Sequence, residues 1–133
     1  MAEQLHFDLV SPEKRLFAGP VDMVTVPGAE GDFSVLAGHA PFMATIRPGA
    51  IAVHSGGSVK RTFIHGGFAE VTPQGLTILA EEAVDIAEVN PARLAADIQS
   101  ARDAIADAGD EAARRLAEER LEKLQALKAT MSV

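Results

Sequence analysis

Apolar and polar residues alternate in short runs over positions 5–86. At Val89-Asn90-Pro91 the repeat lengthens to the 3.6-residue period of a helix. In Leu5-His6-Phe7-Asp8-Leu9-Val10 the apolar Leu5, Phe7 and Leu9 point one way and His6 and Asp8 the other, which is the pattern of a half-buried strand. Ser11-Pro12-Glu13-Lys14 ends it, because Pro12 has no N–H for a ladder. Further strands are expected at 21–26, 33–36, 42–46, 50–54, 59–64, 68–71, 76–80 and 83–86. Between them lie Pro27-Gly28-Ala29-Glu30-Gly31-Asp32, Ala37-Gly38-His39-Ala40-Pro41, Arg47-Pro48-Gly49, Ser55-Gly56-Gly57-Ser58, His65-Gly66-Gly67 and Thr72-Pro73-Gln74-Gly75. Glycine and proline in such runs make turns by supplying positive φ or fixing φ. Eight to ten short strands with regular turns predict an antiparallel β-sandwich or flattened barrel.

The second segment solves a different packing problem. Asn90 is a good N-cap, and Pro91 sits at the first helical position, where a missing N–H costs nothing. Leu94, Ile98, Ala101 and Ile105 then fall on one stripe. Gly109 is expected to stop this helix and Asp110 to cap the next, whose stripe reads Leu116, Ala117, Leu121, Leu124 and Leu127. A short link makes the two helices antiparallel neighbours. The expected class is therefore α+β: a sandwich over 1–87 and a two-helix hairpin over 90–133. Arg120 falls near the middle of the arc set by Leu116, Leu124 and Leu127. Either its methylenes cover the stripe while the guanidinium reaches water or a nearby Glu, or it faces an anion or a partner carboxylate.

Charge and composition remove several functions. The net charge is -7 with no basic stripe, which argues against nucleic acid and anionic lipid as ligands. No apolar run approaches the roughly 18 residues of a membrane span, and Met1-Ala2-Glu3-Gln4-Leu5-His6 lacks the form of a secretory signal. With no cysteine there are no disulfides, thiolates or Cys-based metal sites. An intracellular, unprocessed chain is expected, which meets a membrane only through a partner.

No motif assembles a catalytic site. His65-Gly66-Gly67 has no Gly-x-Ser-x-Gly elbow to accompany it, so it reads as a tight strand connection. Gly28-Ala29-Glu30-Gly31 lacks the Lys-Ser/Thr and following helix of a phosphate loop. His6, His39, His54 and His65 have no metal-ligand spacing, and Glu81-Glu82 and Glu118-Glu119 read as solvated surface. No nucleophile, base and oxyanion site come together, so no catalysis is expected from this chain alone.

An ordered series of segments carries a resemblance. Val10-Ser11-Pro12-Glu13, Leu16-Phe17-Ala18-Gly19, Pro27-Gly28-Ala29-Glu30-Gly31-Asp32-Phe33, Gly38-His39-Ala40-Pro41-Phe42, Arg47-Pro48-Gly49 and Gly66-Gly67-Phe68-Ala69-Glu70-Val71 follow one another along the chain. In this order they resemble the epsilon subunit of bacterial F-type ATP synthase, and the likeness extends through the helical hairpin. The resemblance implies a non-catalytic rotor subunit of the central stalk, on the cytoplasmic face of the bacterial inner membrane. Its sandwich would hold the gamma subunit and touch the c-ring, coupling proton-driven rotation to ATP synthesis in the alpha/beta catalytic head. Glu30 and Asp32 then match the family's acidic loop at the ring, and His39 the histidine beside that contact. Read without the family, Glu30 and Asp32 are ordinary turn residues and His39 a turn-fixing hydrogen bonder.

In this family the hairpin can lie down or extend into the head and block rotation. Docking some four large aliphatic side chains gains roughly 6–12 kcal/mol gross, most of it offset by ordering. No cofactor is required, and the resemblance leaves room only for weak ATP binding at the hairpin. The family's nucleotide pattern resembles Ile/Leu-Asp-x-x-Arg-Ala, whereas this chain reads Val89-Asn90-Pro91-Ala92-Arg93-Leu94; Arg93 matches, and Arg115 or Arg120 is the candidate second anion contact. On the second helix Arg114, Arg115, Arg120, Lys123 and Lys128 are nearly balanced by Glu111, Glu118, Glu119 and Glu122, so weak inhibition of hydrolysis is expected at best. The competing classes are a free-standing regulatory β-module with a helical dimerisation tail and a sandwich-fold enzyme. The latter would need a carboxylate pair or histidine cluster that the chain does not offer.

Overall fold

A computed structural model describes residues 4–131; the first residues of the N-terminal segment lie outside it. The chain divides into two compact units, Met1–Asp85 and Ile86–Val133. The first holds strands β1 (Leu5–Val10), β2 (Arg15–Val21), β3 (Met23–Gly28), β4 (Gly31–Val35), β5 (Phe42–Thr45), β6 (Gly49–Ser55), β7 (Ser58–Thr72) and β8 (Gly75–Asp85). Their order is β2-β1-β8-β7-β6-β3-β4, with β5 also paired to β7.

Hydrogen bonds make this one ladder, and burial folds it over. Leu5, Phe7, Leu9 and Val21 from one end share a single core with Val24, Val26, Val35 and Ile51 from the other. Ile64, Ala69, Val71, Leu76, Ile78 and Ala80 of the middle strands complete it. Each large side chain removed from water contributes about 1.5–3 kcal/mol, so this shared interior is what closes the sandwich.

Several expected boundaries move, each for a tertiary reason. The expected strand at 21–26 is cut at Asp22, where the chain turns a corner. Asp22 donates its N–H to the His54 carbonyl (2.8 Å), and its carboxylate accepts from the Gly56 N–H (2.9 Å). The residues before it, to which the alternation assigns no strand, form β2 against β1. As an edge strand β2 is exposed almost throughout, so it carries no alternation, and an edge tolerates Pro20. His65-Gly66-Gly67 is not a connection: β7 runs through it unbroken and stays in register with β8 from Thr62↔Asp85 to Thr72↔Gly75. Gly66 (φ +74°) and Gly67 (φ +139°) bend the strand there, and its other neighbour changes from β6 to β5. The expected strands 76–80 and 83–86 are likewise one strand, β8, and Ile86–Glu88 is a 3-10 turn. Most pairs are antiparallel, but β1 and β8 run parallel.

The second unit contains α1 (Pro91–Asp107) and α2 (Glu111–Met131). The Asn90 side chain accepts hydrogen bonds from the Ala92 and Arg93 N–H groups (2.9 and 3.1 Å), with Pro91 opening the helix. Leu94, Ile98 and Ala101 are buried. The helix ends by turning extended at Ala108 (φ -60°, ψ 128°), so Gly109 is not the left-handed stop expected of it. Asp110 caps α2, accepting from the Ala113 N–H at 2.7 Å. Pro91, Leu94 and Ala95 share a hollow with Lys128 and Met131, which sets the start of α1 beside the end of α2. On α2 the buried stripe comes down to Ala117 and Leu127, while Leu116 is 68% exposed. Adjacent helical residues diverge by 100°, and Ala117 takes the inward position that Leu116 was expected to share.

Candidate functional site

The turn between β3 and β4 is as tight as a hairpin can be. Val26↔Phe33, Pro27↔Asp32 and Gly28↔Gly31 face one another, so Ala29 and Glu30 alone make the reversal. Glycine is required at its base. A Cβ on Gly28 would lie 2.5 Å from the Gly31 carbonyl oxygen, and Gly31 itself has φ +136°. The consequence is that Glu30 stands exposed at the tip, flanked by the small Ala29 and by Gly31, which has no side chain. It makes no ion pair or hydrogen bond within the described residues.

Asp32 behaves differently. Its carboxylate accepts from the Arg47 guanidinium, which reaches across from the Arg47-Pro48-Gly49 segment. Both side chains are about half exposed (58% and 47%), a setting in which an ion pair contributes ~0–1 kcal/mol. The same segment is tied to the other side of the hairpin. Arg47 N–H donates to the Pro27 carbonyl and Ala29 N–H to the Thr45 carbonyl, both at 2.9 Å. Beside the turn an open groove of about 470 Å³ is lined by Glu30, Phe33, Phe42, Met43 and Thr45. Phe33 and Phe42 meet edge to face at 5.0 Å in its floor, and Met43, 63% exposed, stands on its rim.

His39 lies on the loop that joins β4 to β5, at the far end of β5 from the turn. Its Nδ1 is 2.9 Å from the Ala40 carbonyl oxygen, its N–H donates to Leu36, and its ring packs on Phe42 at 5.3 Å. Glu30, Asp32 and His39 are therefore strung along one strip by the Phe33–Phe42 contact, without touching one another. Asp32 and His39 make internal contacts, and Glu30 is the group left open. Sequence reasoning missed Arg47 as a functional residue. Its only signal was the Arg-Pro-Gly run, read as a turn.

In the helical unit Arg93 and Arg120 converge, but on an acid of the chain itself. Asp97 Oδ1 is 3.5 Å from Arg93 Nε, one helical turn away, and 4.0 Å from Arg120 Nη2 on the facing helix. Arg120 does lie along the apolar stripe with its head at the rim, yet its partner is Asp97 and not a glutamate. Asp97 was the residue to look for: Arg93 stands at i-4 to it, the spacing of a helical ion pair. Among the described residues no group of three His, Asp or Glu is arranged to hold a metal ion, and no helix is long and apolar enough to cross a membrane.

Known proteins match this arrangement along most of its length. Residues 4–86 fit the family model for the β-sandwich domain of the ATP synthase delta/epsilon chain. The ATP synthase epsilon chain of Maricaulis maris is 59% identical over 129 residues, 97% of each chain. That of Parvibaculum lavamentivorans is 51% identical, over 98% of this chain and all of the relative. A chain of the Euglena gracilis mitochondrial ATP synthase, solved as its OSCP/F1/c-ring assembly, superposes with TM-score 0.82 at 30% identity, over 98% of this chain and 83% of that one. A chain of the Tetrahymena thermophila mitochondrial central stalk and c-ring shares the fold at 14% identity (TM-score 0.65). With a sandwich model covering most of the first unit and relatives aligned through both, the chain belongs to the ATP synthase epsilon-chain family, as an accessory and not a catalytic subunit.

Proposed function

We propose that this chain works in the central stalk of a bacterial proton-translocating ATP synthase. Its β-sandwich holds the gamma subunit and bears on the c-ring, so that ring rotation is passed to ATP synthesis in the alpha/beta head. The observation that carries this reading is Glu30: one free carboxylate held out on a two-residue turn, beside a groove with an apolar floor. A tip of that kind fits a partner surface offering amide or cationic groups next to an apolar ridge. The polar loops of a c-ring have that chemistry. His39, at the other end of the strip, is assigned to the neighbouring stalk contact, where its packing on Phe42 supports shape more than charge.

Torque transmission asks for stiffness, and the sandwich supplies it through one interior shared by both ends of the ladder. The site lies at the cytoplasmic face of the inner membrane, reached through the complex. The hairpin is assigned a weak regulatory role in hydrolysis. ATP binding there would have to displace Asp97 from both Arg93 and Arg120, which argues for weak affinity or none. Co-purification tests the main reading: the full chain is expected to be retained by gamma, and the pair by the c-ring. A chain that stays unbound, or dimerises through its helices, would favour the free-standing regulatory module.

A further inference from the structure

We propose that Arg47 is the positioning residue of the Ala29-Glu30 turn, holding the Glu30 carboxylate as its single uncompensated charge toward an amide- or cation-bearing partner. The proposal rests on the reading of Glu30 as a partner contact, and deepens it.

The turn has little with which to hold itself. Its base is two glycines, and a Cβ at Gly31 would find nothing within 4 Å. Its orientation must therefore come from outside, and residues 45–47 supply the contacts. The Thr45 carbonyl accepts from the Ala29 N–H, the Arg47 N–H donates to the Pro27 carbonyl, and the Arg47 guanidinium donates to the Asp32 carboxylate. Pro27 and Asp32 are directly opposed on β3 and β4, so one residue grips both strands at the foot of the turn. Arg47 is itself constrained, because a residue before proline is held extended. Gly49 lets this strap lie close: a Cβ there would be 3.2 Å from Pro27 Cβ and 3.3 Å from Arg47 Nη1. The pairing also divides the labour of the two acids. Asp32 is neutralised by Arg47, so the turn carries one open charge and not two.

The full-length chain and the assembled enzyme test this separately. Amide hydrogen exchange at Ala29 is expected to rise about two- to five-fold in Arg47→Gln and Asp32→Asn, the range a surface ion pair allows. Amides of the β7–β8 ladder should be unchanged, Arg47→Lys should keep most of the protection, and the exchanged pair Arg47→Asp/Asp32→Arg should recover part of it. Unchanged exchange at Ala29 in Arg47→Gln overturns the proposal. In the assembled enzyme, protons pumped per ATP hydrolysed should fall in Glu30→Gln and in Arg47→Gln, and adding the second change to the first should cause no further fall. A further fall means that Arg47 acts otherwise than through Glu30, and overturns the proposal. If Glu30→Gln leaves coupling intact, it is the ring-contact reading that falls, while the exchange data still judge Arg47.

Discussion

Arg120 on α2 reaches Asp97 on α1 across the hairpin, at 4.0 Å, from a position on the apolar stripe between Ala117 and Leu124. A guanidinium at that place is held by an acid of its own chain, 34% exposed, and Arg93 flanks the same oxygen. The hairpin thus supplies its own anion between Arg93 and Arg120.

Removing that anion should separate its two roles. Asp97→Asn is expected to cost the fold little, ~0–1 kcal/mol in chemical denaturation, as for other exposed pairs. Calorimetry with millimolar ATP should show no saturable heat for the natural chain; any binding should emerge first in Asp97→Asn. Saturable heat in the natural chain that disappears in Arg93→Ala would contradict this account.

Gly67 is the most confined position in the long bent strand. A Cβ there would lie 2.0 Å from the Leu79 carbonyl oxygen, with φ already at +139°. Gly67→Ala should destabilise the chain by at least the roughly 1–3 kcal/mol of a strained backbone, read as a lower midpoint in denaturant. Gly109→Ala is the control, since its Cβ would meet nothing within 4 Å and its φ is not left-handed.

Asn90 accepts from two otherwise unpaired N–H groups at the head of α1. Asn90→Ala should cost about 1 kcal/mol of helix stability. Helical circular dichroism should melt at a lower temperature, and Asn90→Asp should retain the cap. The Asp variant also restores the acid of the family's nucleotide pattern, so ATP heats in it would show that this one position had closed the site.

The second helix carries nearly equal numbers of acids and bases, with Arg114 paired to Glu118 at 3.4 Å. It therefore presents little net positive charge to an acidic partner. Deleting 90–133 and measuring ATP hydrolysis by the assembled enzyme should give at most a small rise. A many-fold increase would make the hairpin a strong inhibitor after all.

Local chemistry was readable from the residues. The alternation of Leu5, Phe7 and Leu9, the presence of a turn within residues 27–32, the Asn90 and Asp110 caps and the change of period at Pro91 all depend on neighbours within a few positions. What eluded the chain order involves distance in sequence. Edge strand β2 has no buried face to generate a pattern. β7 and β8 read as four strands because Gly66-Gly67 and Glu81-Glu82 look like breaks until each strand is seen to support the other. Leu116 and Ala117 could not be ranked until a facing helix chose between them.

The candidate site divides along the same line. Glu30 and Asp32 were visible as acids on a turn, since turn chemistry is local. That one is free and the other bound depends on Arg47, fifteen residues away along the chain. A side chain's charge is written in its residue type, but whether that charge is spent inside the molecule or left for a partner follows from which strands the core brings together.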